Sequence, residues 1–355
     1  MANYLKGRGA LSNPANRFAA TRVAAVEDGW SLQEVPDSIA TQVRPERART
    51  LITTNQSPDI PFEQSINPYR VCEHGCPYCY ARPSHAYLDL SPGLDFETHL
   101  FYKEDAAQLL RAELSKRSYV CKPITVGANT DPYQPLEKRL KVTRSILEVL
   151  RDTRHPVTII TKGSLIARDL DLLGDMARDG LVSVMVTVTT LDNDTKRLLE
   201  PRAAAPAARL KIIRQLTECG VPVGVLVAPV IPAITEHELE QVIAAAAEAG
   251  ARHAGYVILR LPHELKVLFR EWLEAHYPAR AAHVMSIIQS MRGGQDNDPR
   301  FGSRMRGMGP FAQLLRQRFQ LACTRNGLTR GAVPPLPTQL FRPPAADPRQ
   351  TELVF

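Results

Sequence analysis

Residues 181–191 read LVSVMVTVTTL. Aliphatic and β-branched side chains fill both parities of this run, so a strand built from it has no polar face. Such strands suit a parallel sheet covered by helices on both sides. Working outward, similar short runs are SINPYR (65–70), PITVGA (123–128), VTIIT (157–161), VPVGVLVAPV (221–230) and AGYVILRL (254–261). Segments with helical periodicity separate or follow them, at 104–117, 138–152, 166–179, 206–219, 235–249 and 263–275. ECGVP (218–222) and EAGARHAG (248–255) carry glycine where a helix is expected to stop. Taken from SINPYR, the pattern is six β-α units. It predicts an α/β fold, either a doubly wound sheet or a barrel, complete or partial.

The flanks differ from this middle. Residues 1–60 are polar and punctuated by proline, and read as an N-terminal extension to a repeating unit over 61–290. A glycine-rich loop from 292 leads to a helix near 311–325, within a basic segment over 291–330. Residues 331–355 form a proline-rich tail expected to be extended and flexible. Of the net charge of +7, residues 291–355 carry +6, from ten arginines, no lysine and four acidic residues. A basic segment of this kind is either an electrostatic footprint for nucleic acid or a solvated arginine-rich surface.

The longest apolar run, VPVGVLVAPVIPAI (221–234), contains three prolines and is too short to span a bilayer. The N-terminus lacks the apolar core of a signal peptide. These features predict a cytoplasmic protein without a membrane partner, in which clustered cysteines bind metal more often than they pair.

Polar constellations collect at one end of the predicted strands. A cysteine-bearing loop follows strand one, NTDPYQPLE (129–137) strand two, TKGS (161–164) strand three and TTLDND (189–194) strand four. Pro229 ends strand five and Arg260 strand six, where it is placed to meet an anionic substrate. The C-terminal ends of parallel strands are where α/β folds build active sites.

In the loop after strand one, Cys72, Cys76 and Cys79 stand in the spacing C-x3-C-x2-C, with Tyr78 before the last. Zinc would need a fourth ligand, for which His74 and His85 are available. No second C-x2-C occurs, and Cys121, Cys219 and Cys323 are isolated. The alternative is an iron–sulfur cubane held by three thiolates, which leaves one iron open to a substrate or cofactor.

The stretch NPYRVCEHGCPYCYARPSH (67–85), directly after a first strand, resembles the radical S-adenosylmethionine (SAM) enzymes. Together with NTDPYQP, TVTTLD, LEPRAAAPAARL and GVPVGVLVAPVIP, it is most similar to spore photoproduct lyase and its uncharacterised, DNA repair photolyase-like relatives from non-sporulating organisms. The resemblance spans roughly 60–290. It implies a partial (β/α)6 TIM-like barrel with N- and C-terminal extensions, a [4Fe–4S] cluster on Cys72, Cys76 and Cys79, and S-adenosylmethionine on the fourth iron. Reductive cleavage of the cofactor to a 5′-deoxyadenosyl radical, with an external electron donor, follows by the same implication.

Further residues are carried over position by position. Tyr78 is expected against the cluster or the adenine, and Lys162 at the cofactor carboxylate. Thr187 and Thr189 are expected to hydrogen-bond the cofactor, with Asn129 and Asp131 near its amino group. Glu200 and Arg202 match an acidic-proline element and are expected to pair near the ribose or the substrate mouth. The lyase's hydrogen-donor cysteine falls near the end of strand two, where GANTDPY has no cysteine. The resemblance therefore implies the cofactor chemistry and leaves the substrate open.

The final residues, QTELVF, fit Q-x-x-L-x-F, a peptide pattern that docks bacterial repair proteins on the sliding clamp through Gln350, Leu353 and Phe355. The leading expectation is thus a radical SAM enzyme acting on nucleic acid, a repair-like lyase in class. The competing expectations are the same chemistry on a protein or metabolite, and a metal-bearing nucleic-acid-binding module without turnover.

Overall fold

A computed structural model describes residues 5–18, 39–331 and 335–344. The six parallel strands are Gln64–Ile66, Ile124–Val126, Val157–Thr161, Val182–Thr187, Val223–Val230 and His253–Ile258, numbered one to six below. They lie side by side in chain order, with Thr53–Thr54 antiparallel at one edge and Thr329–Arg330 parallel at the other. A sequential order is the winding of a barrel; a doubly wound sheet reverses direction at its middle. Among the described residues the two edge strands are not paired with each other, so the array is an open, partial barrel.

The physical cause is visible in strand four. Val182, Val184 and Val186 are buried, and so is Ser183 between them. Each fully buried valine contributes about 1.5–3 kcal/mol relative to an exposed one. A strand covered on both faces leaves little room for polar alternation. Helices Ala106–Leu114, Val142–Asp152, Leu170–Arg178, Pro206–Glu218 and Leu239–Glu248 supply the cover. The stripe Val142, Ile146, Val149 and Leu150 of the second is buried against the sheet core, as helical spacing requires.

The predicted first strand divides. Gln64–Ile66 enters the main sheet, whereas Tyr69–Arg70 pairs antiparallel with His99–Lys103. His99–Lys103 also pairs in parallel with Gln42–Glu46, forming a small second sheet. Proline at 68 supplies no N–H, which stops the ladder and turns the chain toward the mouth. Two of the longer helices that arise outside the predicted segments are Asn193–Leu199 and Pro278–Ser290. The first is capped by Asp192, whose side chain accepts from the Thr195 N–H.

The C-terminal segment is built into the same body. Helix Gly309–Arg325 packs beside Leu239–Glu248, and Thr329–Arg330 extends the sheet beyond strand six. No helix among the described residues is long and apolar enough to cross a membrane.

Candidate active site

The cysteine loop leaves Arg70 through Val71 at φ +84° and turns again at Gly75, φ +71°. These left-handed positions bend the chain on either side of Cys72. Two buried groups hold it. Arg82 donates to the carbonyls of Cys76 (2.8 Å) and Gly75 (3.1 Å), and to Pro92 and Gly93 at 3.0 and 2.8 Å. It also pairs with Glu97, and both side chains are fully buried. The Glu97 carboxylate accepts from the N–H groups of Gly9 (2.9 Å) and Ala10 (2.8 Å). Such complete pairing is what makes a buried charge pair tolerable.

Gly9 thereby lies on the loop. A Cβ there would sit 1.8 Å from the Gly75 carbonyl oxygen. Gly9→Ala is expected to lift this strap and cost about 1–3 kcal/mol, the range for overpacking. A lowered Tm would register it; a wild-type Tm would contradict the strap.

From the other side, Gln134 clamps the start of the loop. Its amide oxygen accepts from Glu73 N–H (2.7 Å), and its amide nitrogen donates to the Val71 carbonyl (3.1 Å). Thr130 donates to the Tyr69 carbonyl at 2.7 Å. The stretch after strand two is therefore the seat of the loop.

Cys72 and Cys76 are buried and Cys79 is half-buried. Burial pushes the Cys72 thiol up, with further contributions from Asp131, Cys76 and Cys79. Burial likewise raises Cys76 to about 12, against the opposing pull of Lys162. The three sulfurs thus lie within electrostatic reach of one another. Among the described residues, no three His, Cys, Asp or Glu side chains close on one ion position. A cubane asks less of them, since its thiolates bind separate irons. His74 instead lies 3.5 Å from Asp131, and His85 packs edge-on against Phe96.

Beside the loop is a buried charge cluster. Glu200 is fully buried and ion-paired with Arg209, and Lys162 Nζ lies 3.1 Å from its carboxylate. Lys162 is also 3.0 Å from the Tyr78 hydroxyl, which itself donates to Glu200. Thr189 donates to Glu200 at 2.8 Å. Burial opposes the Glu200 charge, but Arg209 and Lys162 outweigh it and hold the carboxyl well below its usual range. Burial alone would lower Lys162; Glu200, Tyr78 and Cys76 reverse this and keep it a cation.

Tyr78, Lys162, Thr189 and Glu200, four of the residues singled out in the sequence, thus lie together. Thr187 is buried and offers its carbonyl to Arg209 at 3.1 Å. Asp131 ties strands two and three, accepting from Thr161 Oγ1 (2.7 Å) and the Lys162 N–H (2.8 Å). Asn129 is exposed, its N–H bound to the Asn67 side chain. The expected pair between Glu200 and Arg202 does not form. Arg202 pairs with Glu73 of the cysteine loop at 2.6 Å. Helix Pro206–Glu218 instead carries Arg209 to Glu200, where it fits a more deeply buried carboxylate.

Arg209 is absent from the residues singled out in the sequence, yet a signal exists. It shares the stripe of Ile212, Ile213 and Leu216 on its helix, so helical spacing already turns it inward. Gln134, Arg82 and Glu97 carry no comparable local mark. At the end of strand six, Arg260 is half-buried and its Nε has no hydrogen-bond partner among the described residues. Its Nη1 lies 3.7 Å from Met305 Sδ, and burial lowers its pKa. Gln350, Leu353 and Phe355 lie outside the described residues.

The description "Radical SAM superfamily" matches residues 66–246, from the first parallel strand into the helix after the fifth. The chain belongs to the radical SAM superfamily. An uncharacterised protein of Mycobacterium tuberculosis is 38% identical over 232 residues, 65% of this chain and 68% of the relative. An uncharacterised protein of Methanocaldococcus jannaschii is 28% identical over 173 residues, 49% and 62% of the two chains. Among solved structures, spore photoproduct lyase complexed with dinucleoside spore photoproduct aligns with TM-score 0.57 and 15% identity over 81% of each chain. A mutant spore photoproduct lyase with bound AdoMet and dinucleoside spore photoproduct gives 0.56 and 16% over 81% of each chain. At that identity the likeness concerns the fold, and it agrees with the radical SAM partial barrel described above.

Proposed function

We infer that this radical SAM protein binds a [4Fe–4S] cluster through Cys72, Cys76 and Cys79, cleaves S-adenosylmethionine reductively, and acts on nucleic acid. The observation that carries the reading is the loop itself. Three cysteines of one short, largely buried loop sit at the C-terminal mouth of a parallel sheet, next to a lysine paired with a buried glutamate. The donor set fits a cubane, because thiolates are its ligands and one iron would remain without a protein ligand. With the cofactor bound, the cluster would supply the electron that breaks its sulfonium carbon–sulfur bond.

The protein's part is positioning. Lys162 presents an ammonium to a carboxylate, while Tyr78 and Glu200 fix that ammonium beside the cysteine loop. Thr187, Thr189, Asn129, Asp131 and Arg202 complete the proposed cofactor set. Arg202 reaches Glu73 of the cysteine loop and the Asn129 N–H reaches Asn67 at its approach, while Asp131 joins Thr161, Thr189 joins the Ala228 carbonyl and the Thr187 carbonyl accepts from Arg209, so they act largely by holding the mouth in shape. Arg260, with an uncommitted Nε at the mouth, suits an anionic substrate group. A related fold was solved with a dinucleoside lesion, and the basic C-terminal segment supports the same substrate class. A repair-like lyase reaction and a sliding-clamp contact at 350–355 belong to this reading, as do an external electron donor and cytoplasmic location.

Anaerobic reconstitution tests it. The expected result is about four irons and four sulfides per chain, as the cubane stoichiometry requires. Dithionite should then yield 5′-deoxyadenosine, with the yield compared across irradiated DNA, RNA and cell extract. Stable zinc without cleavage would sink the enzyme. Stimulation by extract protein alone would reassign the substrate.

A further inference from the structure

The basic C-terminal segment is not uniformly free. Arg318 is bidentate to Glu240 at 2.7 Å, and Arg304 is held by Asp59. Arg300 pairs with Asp298, while Arg292 is spent on the carbonyls of Leu259, Ser303 and Arg304. Arg306, Arg316 and Arg330 make no ion pair with a described residue. All three line a single cavity of about 520 Å³, with Tyr256, Phe319, Gln320 and Gly331.

The loop residues Met305 and Arg306 meet different neighbours. Met305 reaches Arg260, and its carbonyl accepts from the Ile258 N–H, extending the sheet edge. The next residue, Arg306, lies instead over the Tyr256 ring at 4.0 Å. Phe319 packs on that ring from helix Gly309–Arg325, centroids 4.7 Å apart. Arg330 comes from the short strand beside His253 and Ala254.

Tyr256 supplies an independent pointer to a ligand. It is 2% exposed, and its hydroxyl has no hydrogen-bond partner among the described residues. An unsatisfied buried hydroxyl is destabilising, and an acceptor brought to it by a bound ligand would relieve that cost. Three guanidiniums without an ion pair, lining one cavity together with Tyr256, specify an anion rich in acceptors, and phosphate matches that fork geometry.

We propose that this cavity is an accessory phosphate site that grips the phosphodiester backbone of a nucleic acid beyond the barrel mouth. A polymer fits better than a small anion for two reasons. Arg316, Gln320 and Arg330 are exposed, and helix Gly309–Arg325 continues outward with exposed Gln313 and Gln317 and no acidic residue. The aromatic rings are buried beneath Arg306, so they offer no stacking platform for bases. Contacts to phosphate alone position a strand without reading its sequence.

The site rests on the nucleic-acid reading above but contributes nothing to the cluster, which makes the two separable. Fluorescence anisotropy with the reconstituted full chain would use labelled single-stranded DNA, duplex DNA and RNA of two unrelated sequences. Arg316→Ala/Arg330→Ala alters only exposed side chains and should fold normally. It is expected to weaken binding at least about tenfold, equally for both sequences, and to reduce the salt slope by roughly 1.4 for a single strand. Tyr256→Phe, which removes only the hydroxyl, should weaken binding by a smaller factor. Reductive SAM cleavage without nucleic acid should be unchanged in both variants.

Wild-type binding that survives in the double variant overturns this site and leaves the substrate reading standing. A wild-type chain with no salt-sensitive binding overturns both. Inorganic phosphate or a mononucleotide that saturates the cavity while oligonucleotides bind undiminished would show a small-anion site and overturn the backbone contact.

Discussion

Replacing any one of Cys72, Cys76 or Cys79 by alanine is expected to reduce 5′-deoxyadenosine formation to background. Each cysteine would hold a different iron, and the loop offers no spare thiol. Cys121 lies half-buried just before strand two, at the opposite end of the sheet from the mouth, and Cys219 is exposed after helix Pro206–Glu218. Iron and sulfide content should fall with activity in the three loop variants and stay at wild-type levels in Cys121→Ala and Cys219→Ala. A loop variant that keeps its full iron content and turnover would refute the ligand assignment. The fold itself should survive, because Arg82, Glu97 and Gln134 hold the loop by backbone contacts that do not use the sulfurs.

The second large effect is on stability. Glu200 is the only carboxylate in contact with both Arg209 and Lys162 among the described residues, and it is fully buried. Glu200→Gln leaves two cations facing a neutral amide. Breaking a buried pair by removing one partner costs about 3–5 kcal/mol. The urea midpoint should fall accordingly, and a midpoint equal to wild type would contradict the network. Glu200→Gln/Arg209→Gln should lose less than the two single variants combined, since the partners share one interaction.

The pH dependence has a definite sign. Arg209 and Lys162 depress the Glu200 carboxyl in the folded protein despite its burial. Its contribution is therefore complete above the unfolded carboxylate range, about pH 4.3, and is lost progressively as acid is added below it. Wild type should lose stability on acidification below roughly pH 5 more steeply than Glu200→Gln, whose amide does not titrate there. Parallel acid profiles would show that other carboxylates dominate.

Much of the architecture is readable along the chain, for a reason specific to parallel sheets. A strand such as Val182–Thr187 is buried on both faces, so its apolar character is local and continuous. Strands three to six accordingly lie close to their predicted runs. The first strand is harder, because SINPYR spans two sheets and the break at Pro68 is a matter of which partner each half meets. The short helix Asn193–Leu199 hides in a polar stretch whose capping residue, Asp192, also reads as a turn.

Within the site, residue types that are chemically unusual are legible and their partners are not. A lysine at a strand end and a glutamate before proline stand out, and Lys162 and Glu200 do meet. Which arginine joins them differs from the expectation. Arg202 is two residues from Glu200, but nearness along the chain does not bring side chains together when the backbone turns between them. Arg209, nine residues on, is returned by a helix.

The sequence by itself determined the family and the scaffold: a C-x3-C-x2-C loop after the first strand of a β/α array. Both are encoded in short windows, where spacing and periodicity act on neighbours. Only the tertiary structure decided how the loop is held and where charge remains uncommitted. Arg82 needs Glu97, Glu97 needs Gly9, and Arg306 shares a cavity with Arg316 and Arg330. Contacts of that kind depend on which distant segments pack together, and desolvation makes them decisive only once packing has occurred.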